Sequence, residues 1–172
     1  MQYRRLGKSN LRVSALCLGT MMFGDQTDAA ESQRIVDHAR HHGMNFIDTA
    51  DVYSLGKSEE ITGNAIRAER DHWVLATKVG NKMMPDSPFP NHERYSRKWL
   101  MQECDASLKR LGTDYIDIYY LHRDFEEDAL DEAVAALGDL IRAGKIRYFG
   151  VSNFRAWRIA EIVAECRRQG VP

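Results

Sequence analysis

Asn45-Phe46-Ile47-Asp48-Thr49-Ala50-Asp51-Val52-Tyr53 reads as a short buried strand, over 45–47, that runs straight into an acid. Tyr53 follows Asp48 by five residues, and the loop beyond it carries Gly56 and then Ser58-Glu59-Glu60, which opens a helix. An acid at a strand end and a tyrosine on the next loop are well placed for chemistry at the mouth of a parallel barrel. Taken singly, such an acid is as readily a cap, and such a tyrosine as readily packing. The other strand ends have to decide.

Upstream, Tyr3-Arg4-Arg5-Leu6, Gly7-Lys8-Ser9-Asn10 and Leu11-Arg12-Val13 read as a hairpin with a four-residue turn. The apolar run Ala15-Leu16-Cys17-Leu18 reads as a buried strand ending in Gly19-Thr20. Asp28 caps a helix with a buried stripe of Ile35, Val36 and Ala39, stopped by Gly43. Downstream, a helix from Ser58 buries Ile61, Ala65 and Ile66, and Trp73-Val74-Leu75-Ala76-Thr77-Lys78-Val79 is the next strand. Residues 80–95 form a long loop with Pro85, Pro88 and Pro90, which reads as a lid or binding loop. Ser96 caps a helix with Leu100, Cys104, Leu108 and Leu111, closed by Gly112. Strand 116–121 ends at His122, and its helix carries Leu130, Val134, Leu137 and Ile141 to Gly144. Strand 146–151 ends in Ser152-Asn153, followed by a helix with Ile159, Ile162, Val163 and Cys166 that stops at Gly170.

Strand and helix thus alternate five times, with near-continuous apolar strands, the pattern of a parallel sheet covered by helices. No Gly-x-Gly-x-x-Gly turn opens a helix, which argues against a doubly wound dinucleotide-binding sheet. The expectation is an α/β protein, a (β/α)8 TIM barrel incomplete in this chain: an N-terminal hairpin plus about five βα units, in a single partial domain over 1–172. Such barrels run to about 250 residues, and the chain stops at Val171-Pro172, where a sixth strand is expected. A five-unit sheet leaves two edges and an apolar face uncovered, inviting association. Three explanations stand: a longer protein, strands supplied by another chain with self-association as one route, or a fragment that folds alone.

Apolar content is 44% and net charge −1, so composition gives no electrostatic case for nucleic acid or an anionic membrane surface. No apolar run is long enough to span a bilayer, and Met-Gln-Tyr-Arg-Arg lacks a signal-peptide core. Cys17, Cys104 and Cys166 are odd in number and far apart, which points to free thiols and a cytoplasmic protein.

The strand ends converge in a barrel, and they carry Gly19-Thr20, Asp48 with Tyr53, Lys78, His122, and Ser152-Asn153. Lys78 in an apolar strand needs an anion, and Asp48 on the adjoining strand supplies one. That pair alone is equally a structural staple. Four ionisable side chains aimed at one mouth favour a working site.

These residues resemble the N-terminal part of an aldo-keto reductase. The matching pieces include Leu18-Gly19-Thr20-Met21, Phe46-Ile47-Asp48-Thr49-Ala50 with Tyr53, Gly56-Lys57-Ser58-Glu59 and Thr77-Lys78. They continue with Ser107-Leu108-Lys109-Arg110-Leu111, Leu121-His122, Gly144-Lys145-Ile146-Arg147 and Gly150-Val151-Ser152-Asn153-Phe154. The resemblance implies an NADPH-dependent reductase of aldehydes or ketones. Tyr53 would be the proton donor, Lys78 the cation beside its hydroxyl, Asp48 the holder of Lys78, and His122 the group orienting the carbonyl. A cation beside a phenol favours its phenolate. Gly19, Thr20, Met21, Asp48, Ser152 and Asn153 would bind the cofactor, the last two holding the nicotinamide carboxamide. Met22, Phe23, Tyr53, His122 and Arg123 would line the substrate pocket.

Arg123 stands where many relatives carry an aromatic residue. It either favours an anionic substrate or simply pairs with Asp124. Asp117 is expected to be structural. His38 and His42 have metal-like spacing but lack further ligands, and no metal is expected. A different kind of function is a non-catalytic, NADP-binding regulatory subunit similar to the potassium-channel β subunits. A phosphosugar enzyme on a similar barrel is a weaker reading.

Overall fold

The computed structural model describes residues 1–84 and 86–172, so Pro85 of the long loop lies outside the described residues. The turn over 7–10 folds the chain back as expected, and β1 (Tyr3–Arg5) pairs antiparallel with β2 (Arg12–Ser14). The hairpin is tied to the next layer by Asn45. Its Oδ1 accepts from Ser14 N–H at 2.7 Å and its Nδ2 donates to the Arg12 carbonyl at 3.1 Å.

Five parallel strands follow in chain order: β3 (Leu18–Gly19), β4 (Phe46–Asp48), β5 (Val74–Val79), β6 (Ile116–Leu121) and β7 (Ile146–Val151). Each strand leads into a helix: α1 (Ala29–His41), α2 (Lys57–Ile66), α3 (Arg97–Leu111), α4 (Leu130–Arg142) and α5 (Ala156–Gln169). This is the α/β architecture of a (β/α)8 barrel present in part, a hairpin and five βα units.

The caps explain where the helices begin and end. Asp28 Oδ1 accepts from Glu31 N–H at 2.8 Å, and Ser96 Oγ accepts from Trp99 N–H at 3.2 Å, each satisfying an otherwise orphaned donor. Gly112 ends α3 in the left-handed region at φ 62°. Gly63 is required by packing: a Cβ there would stand 2.1 Å from the Leu111 carbonyl oxygen, so α2 and α3 approach closely at this point.

Side chains alternate between the two faces of each strand. Ile47, Leu75, Val79, Tyr119 and Leu121 join the large core beneath the helices. Val74, Ala76 and Ile118 turn the other way and pack with Val13 of the hairpin, flanked by Phe46 and Tyr120. Asp48, Lys78 and His122 share the second parity. Period two therefore sends them to the inner face at the C-terminal strand ends.

Two expectations need correction. The run 15–18 is not a full strand: only Leu18–Gly19 pairs with β4, and Leu16 is 57% exposed. Apolar content marked this segment, but the ladder is short. On α5, Ile162 is buried while Ile159 and Val163 are more than two-fifths exposed. The expected stripe is covered along one side, where the helix packs against α4.

Candidate active site

At the inner face, Lys78 Nζ forms an ion pair with Asp48 Oδ1. The same ammonium donates to the Thr49 carbonyl at 2.7 Å and to the Tyr53 hydroxyl at 3.2 Å. It also lies 4.7 Å from the centre of the Tyr53 ring. His122 meets that ring edge-on, with centroids 5.7 Å apart and planes at 81°. The four ionisable residues picked from three strand ends are therefore one cluster.

The chain positions Tyr53 by a sharp bend. After it, Ser54 and Leu55 both adopt left-handed backbone, at φ 49° and 54°, before Gly56 at φ 87°. Non-glycine residues in this region are strained, and such strain concentrates at functional sites. Burial pushes the Asp48 carboxyl up, against the pull of the Lys78 ammonium. His122 is 8% exposed, and burial, then Lys78, then Arg123 push its imidazole down to about 4. It is therefore neutral near neutral pH, with one ring nitrogen a donor and the other an acceptor. Its Nδ1 is buried without a partner among the described residues.

Ser152 and Asn153 close the cluster at the end of β7. Asn153 Nδ2 donates to the His122 carbonyl at 3.0 Å and to Ser152 Oγ at 2.9 Å. Among the described residues its Oδ1 makes no hydrogen bond and the Ser152 hydroxyl donates none, serving only as acceptor from Asn153 Nδ2. An acceptor beside a donor suits a primary carboxamide. Met21 and Met22 border an open cleft of about 440 Å³ together with Val52 and Tyr53. Gly19 is exposed, with nothing within 4 Å of an added Cβ.

Three expected site residues behave differently. The Thr20 side chain is fully buried, its hydroxyl shared with Ser58 Oγ at 3.0 Å and donating to the Asp48 carbonyl at 3.1 Å. It braces β3 on β4 and has nothing left for a ligand. Phe23 is 3% exposed and belongs to the core, so it backs the loop and does not line the cleft. Arg123 does not pair with Asp124, whose oxygens go to Arg155 at 2.7 Å and Arg158 at 3.2 Å. Asp117 is structural as expected: it accepts from Arg70 at 2.8 Å and from Leu75 N–H at 3.0 Å. His42 Nδ1 lies 2.9 Å from the His38 carbonyl oxygen.

A buried ionic network behind the site was not foreseen. Arg110 Nε donates to Glu59 Oε2 at 2.5 Å, and its Nη2 bonds Glu103 Oε1 and, at 3.0 Å, Ser107 Oγ. Thr77 Oγ1 on β5 donates to Glu59 Oε1 at 2.6 Å. Asp51, on the Tyr53 loop, is fully buried nearby; burial first, then Glu103 and Glu59, raise its carboxyl well above the usual range. One signal was present in the sequence: Glu103 and Ser107 stand at helical spacing inside the apolar stripe of α3.

A model of the Aldo/keto reductase family matches residues 15–171. A probable voltage-gated potassium channel subunit beta of Arabidopsis thaliana is 41% identical over 165 residues, covering 94% of this chain and 49% of the relative. L-glyceraldehyde 3-phosphate reductase of Escherichia coli is 37% identical over 179 residues, covering 100% of this chain and 51% of the relative. Aldo-keto reductase AKR11C1 from Bacillus halodurans, a solved holo form, superposes with a TM-score of 0.87 at 38% identity, over 96% of this chain and 54% of its own. The chain spans about half the length of the curated relatives it matches.

Proposed function

Because the chain belongs to the aldo/keto reductase family, we propose that its protein reduces an aldehyde or ketone with NADPH, adding hydride to the carbonyl carbon and a proton from Tyr53 to the oxygen. The observation that carries this reading is the Lys78 ammonium bonded at once to Asp48 and to the Tyr53 hydroxyl, with His122 against the same ring. The cofactor supplies the hydride, and the protein supplies placement and electrostatics. Asp48 and the Thr49 carbonyl fix Lys78, and Lys78 stabilises negative charge on the Tyr53 oxygen as its proton leaves. Neutral His122 donates a ring N–H to the carbonyl oxygen and orients it beside Tyr53.

Ser152 and Asn153 present the donor and acceptor that a nicotinamide carboxamide requires, with Gly19, Met21 and Asp48 along the same strand ends. Met22, Tyr53, His122 and Arg123 border the substrate. Residues 1–172 then belong to one barrel-type domain. No helix among the described residues is long and apolar enough to cross a membrane. Free Cys17, Cys104 and Cys166 fit a reducing, cytoplasmic setting.

The test is NADPH oxidation by the full-length protein with 4-nitrobenzaldehyde. Steady turnover supports the reading; tight NADPH binding without turnover would move it to a regulatory subunit. Asn153 has φ 56°, so Asn153→Gly removes the side chain and keeps the backbone comfortable. Fluorescence titration should show NADPH affinity weaker by about 10-fold, the worth of one well-made hydrogen bond. Unchanged affinity would remove Asn153 from the cofactor site.

A further inference from the structure

The Arg123 guanidinium is a cation with no hydrogen-bonded or ion-paired partner among the described residues, on the residue that follows His122. Its backbone is fixed: the buried Tyr95 hydroxyl donates to the Arg123 carbonyl at 2.5 Å and accepts from the Arg123 N–H at 3.0 Å. The residue directly follows His122, and its charge helps push the His122 imidazole down. Its side chain is exposed and rests 5.6 Å from the centre of the Phe125 ring.

Carboxylates are plentiful beside it, yet each is engaged elsewhere. Asp124 is held by Arg155 and Arg158, and Glu126 by Arg155 at 2.7 Å. Glu127 and Asp128 both bind Arg94, at 3.2 and 3.3 Å. Lys78, the other cation of the site, is neutralised by Asp48. Arg123 therefore has no carboxylate partner among the described residues. It is an uncompensated positive charge anchored one residue from the group that would orient the carbonyl.

We propose that the substrate carries an anionic group, a carboxylate or a phosphate, that Arg123 receives while His122 and Tyr53 address the carbonyl. The proposal rests on the reductase reading. A guanidinium fork matches either anion with paired N–H donors. Arg123 would act in this way on specificity, selecting among aldehydes that share the same chemistry at the carbonyl.

The experiment compares matched aldehydes with the full-length protein and NADPH: 4-carboxybenzaldehyde against its methyl ester, and 4-formylphenyl phosphate as the phosphate arm. The quantity read is the ratio of kcat/KM for anion to ester within each protein. Arg123→Met, of similar length and uncharged, is expected to lower that ratio by about 10- to 100-fold, the worth of a charge-assisted hydrogen bond, mainly through KM. Arg123→Lys should recover part of it, more for phosphate than for carboxylate if charge rather than fork geometry dominates. A ratio equal in wild type and Arg123→Met overturns the inference and leaves the reductase reading intact. Failure of the wild type to reduce any of the three aldehydes would instead defeat the reductase reading itself.

Discussion

Tyr53→Phe is expected to lower kcat for carbonyl reduction by about 10²- to 10⁴-fold, the range lost with a positioned proton donor. The substitution is unusually clean here. The ring keeps its edge-on contact with His122 at 5.7 Å and its place beneath the Lys78 ammonium at 4.7 Å. Only the hydroxyl, 3.2 Å from Lys78 Nζ, disappears. Folding and NADPH affinity should therefore remain, as circular dichroism and fluorescence titration would show. A variant that turns over within a few-fold of wild type would take the proton from another group, and the assignment of Tyr53 would be abandoned.

Arg110→Met is expected to cost stability and not chemistry, by about 3–5 kcal/mol, the usual penalty for breaking a buried ion pair from one side. Glu59 is fully buried and the Glu103 side chain is 4% exposed, so neither can recover its charge from water when Arg110 goes. Urea unfolding of the full-length protein measures the loss. The deficit should shrink as the solution is acidified. Burial, before any charge effect, raises the Glu103 carboxyl even with Arg110 present, and removing the cation raises it further. A folded-state carboxyl raised above its unfolded value takes up protons on folding, so stability rises as pH falls through that window. Adding Glu103→Gln to Arg110→Met should restore part of the stability. A loss below about 1 kcal/mol would mean that water reaches the network.

The sequence made local features legible and long-range ones only in part. The strand of Lys78, the caps Asp28 and Ser96 and the stop at Gly112 are written in neighbouring residues, and each formed as read. Asp48, Lys78 and His122 could be grouped because period two and a parallel sheet fix where strand ends meet. The Thr20 side chain could not be assigned, because its role depends on Ser58, 38 residues away. Arg123 beside Asp124 invited pairing by adjacency. Folding instead brings to that carboxylate Arg155 and Arg158, 31 and 34 residues further along. The Arg110–Glu59 contact spans 51 residues, and no periodicity in either helix announces a partner in the other.

The sheet's order, β3-β4-β5-β6-β7, also sets a sequence of assembly in time. From β4 to β7 each strand docks on the one made just before it, so within these units each pairing closes over one strand-helix unit and the loop entropy lost at each step stays small. Growth can then follow the ribosome, unit by unit. β5 and β6 each gain neighbours on both sides, and their amides should exchange slowest with deuterated solvent. Among the five parallel strands described, β3 has the shortest ladder, Leu18 and Gly19 against β4, so its amides should exchange first of the five. Gly19 sits on that first-to-open strand, so a cofactor bound along it would be expected to slow exchange there most of all, and the local protection gained would report occupancy directly.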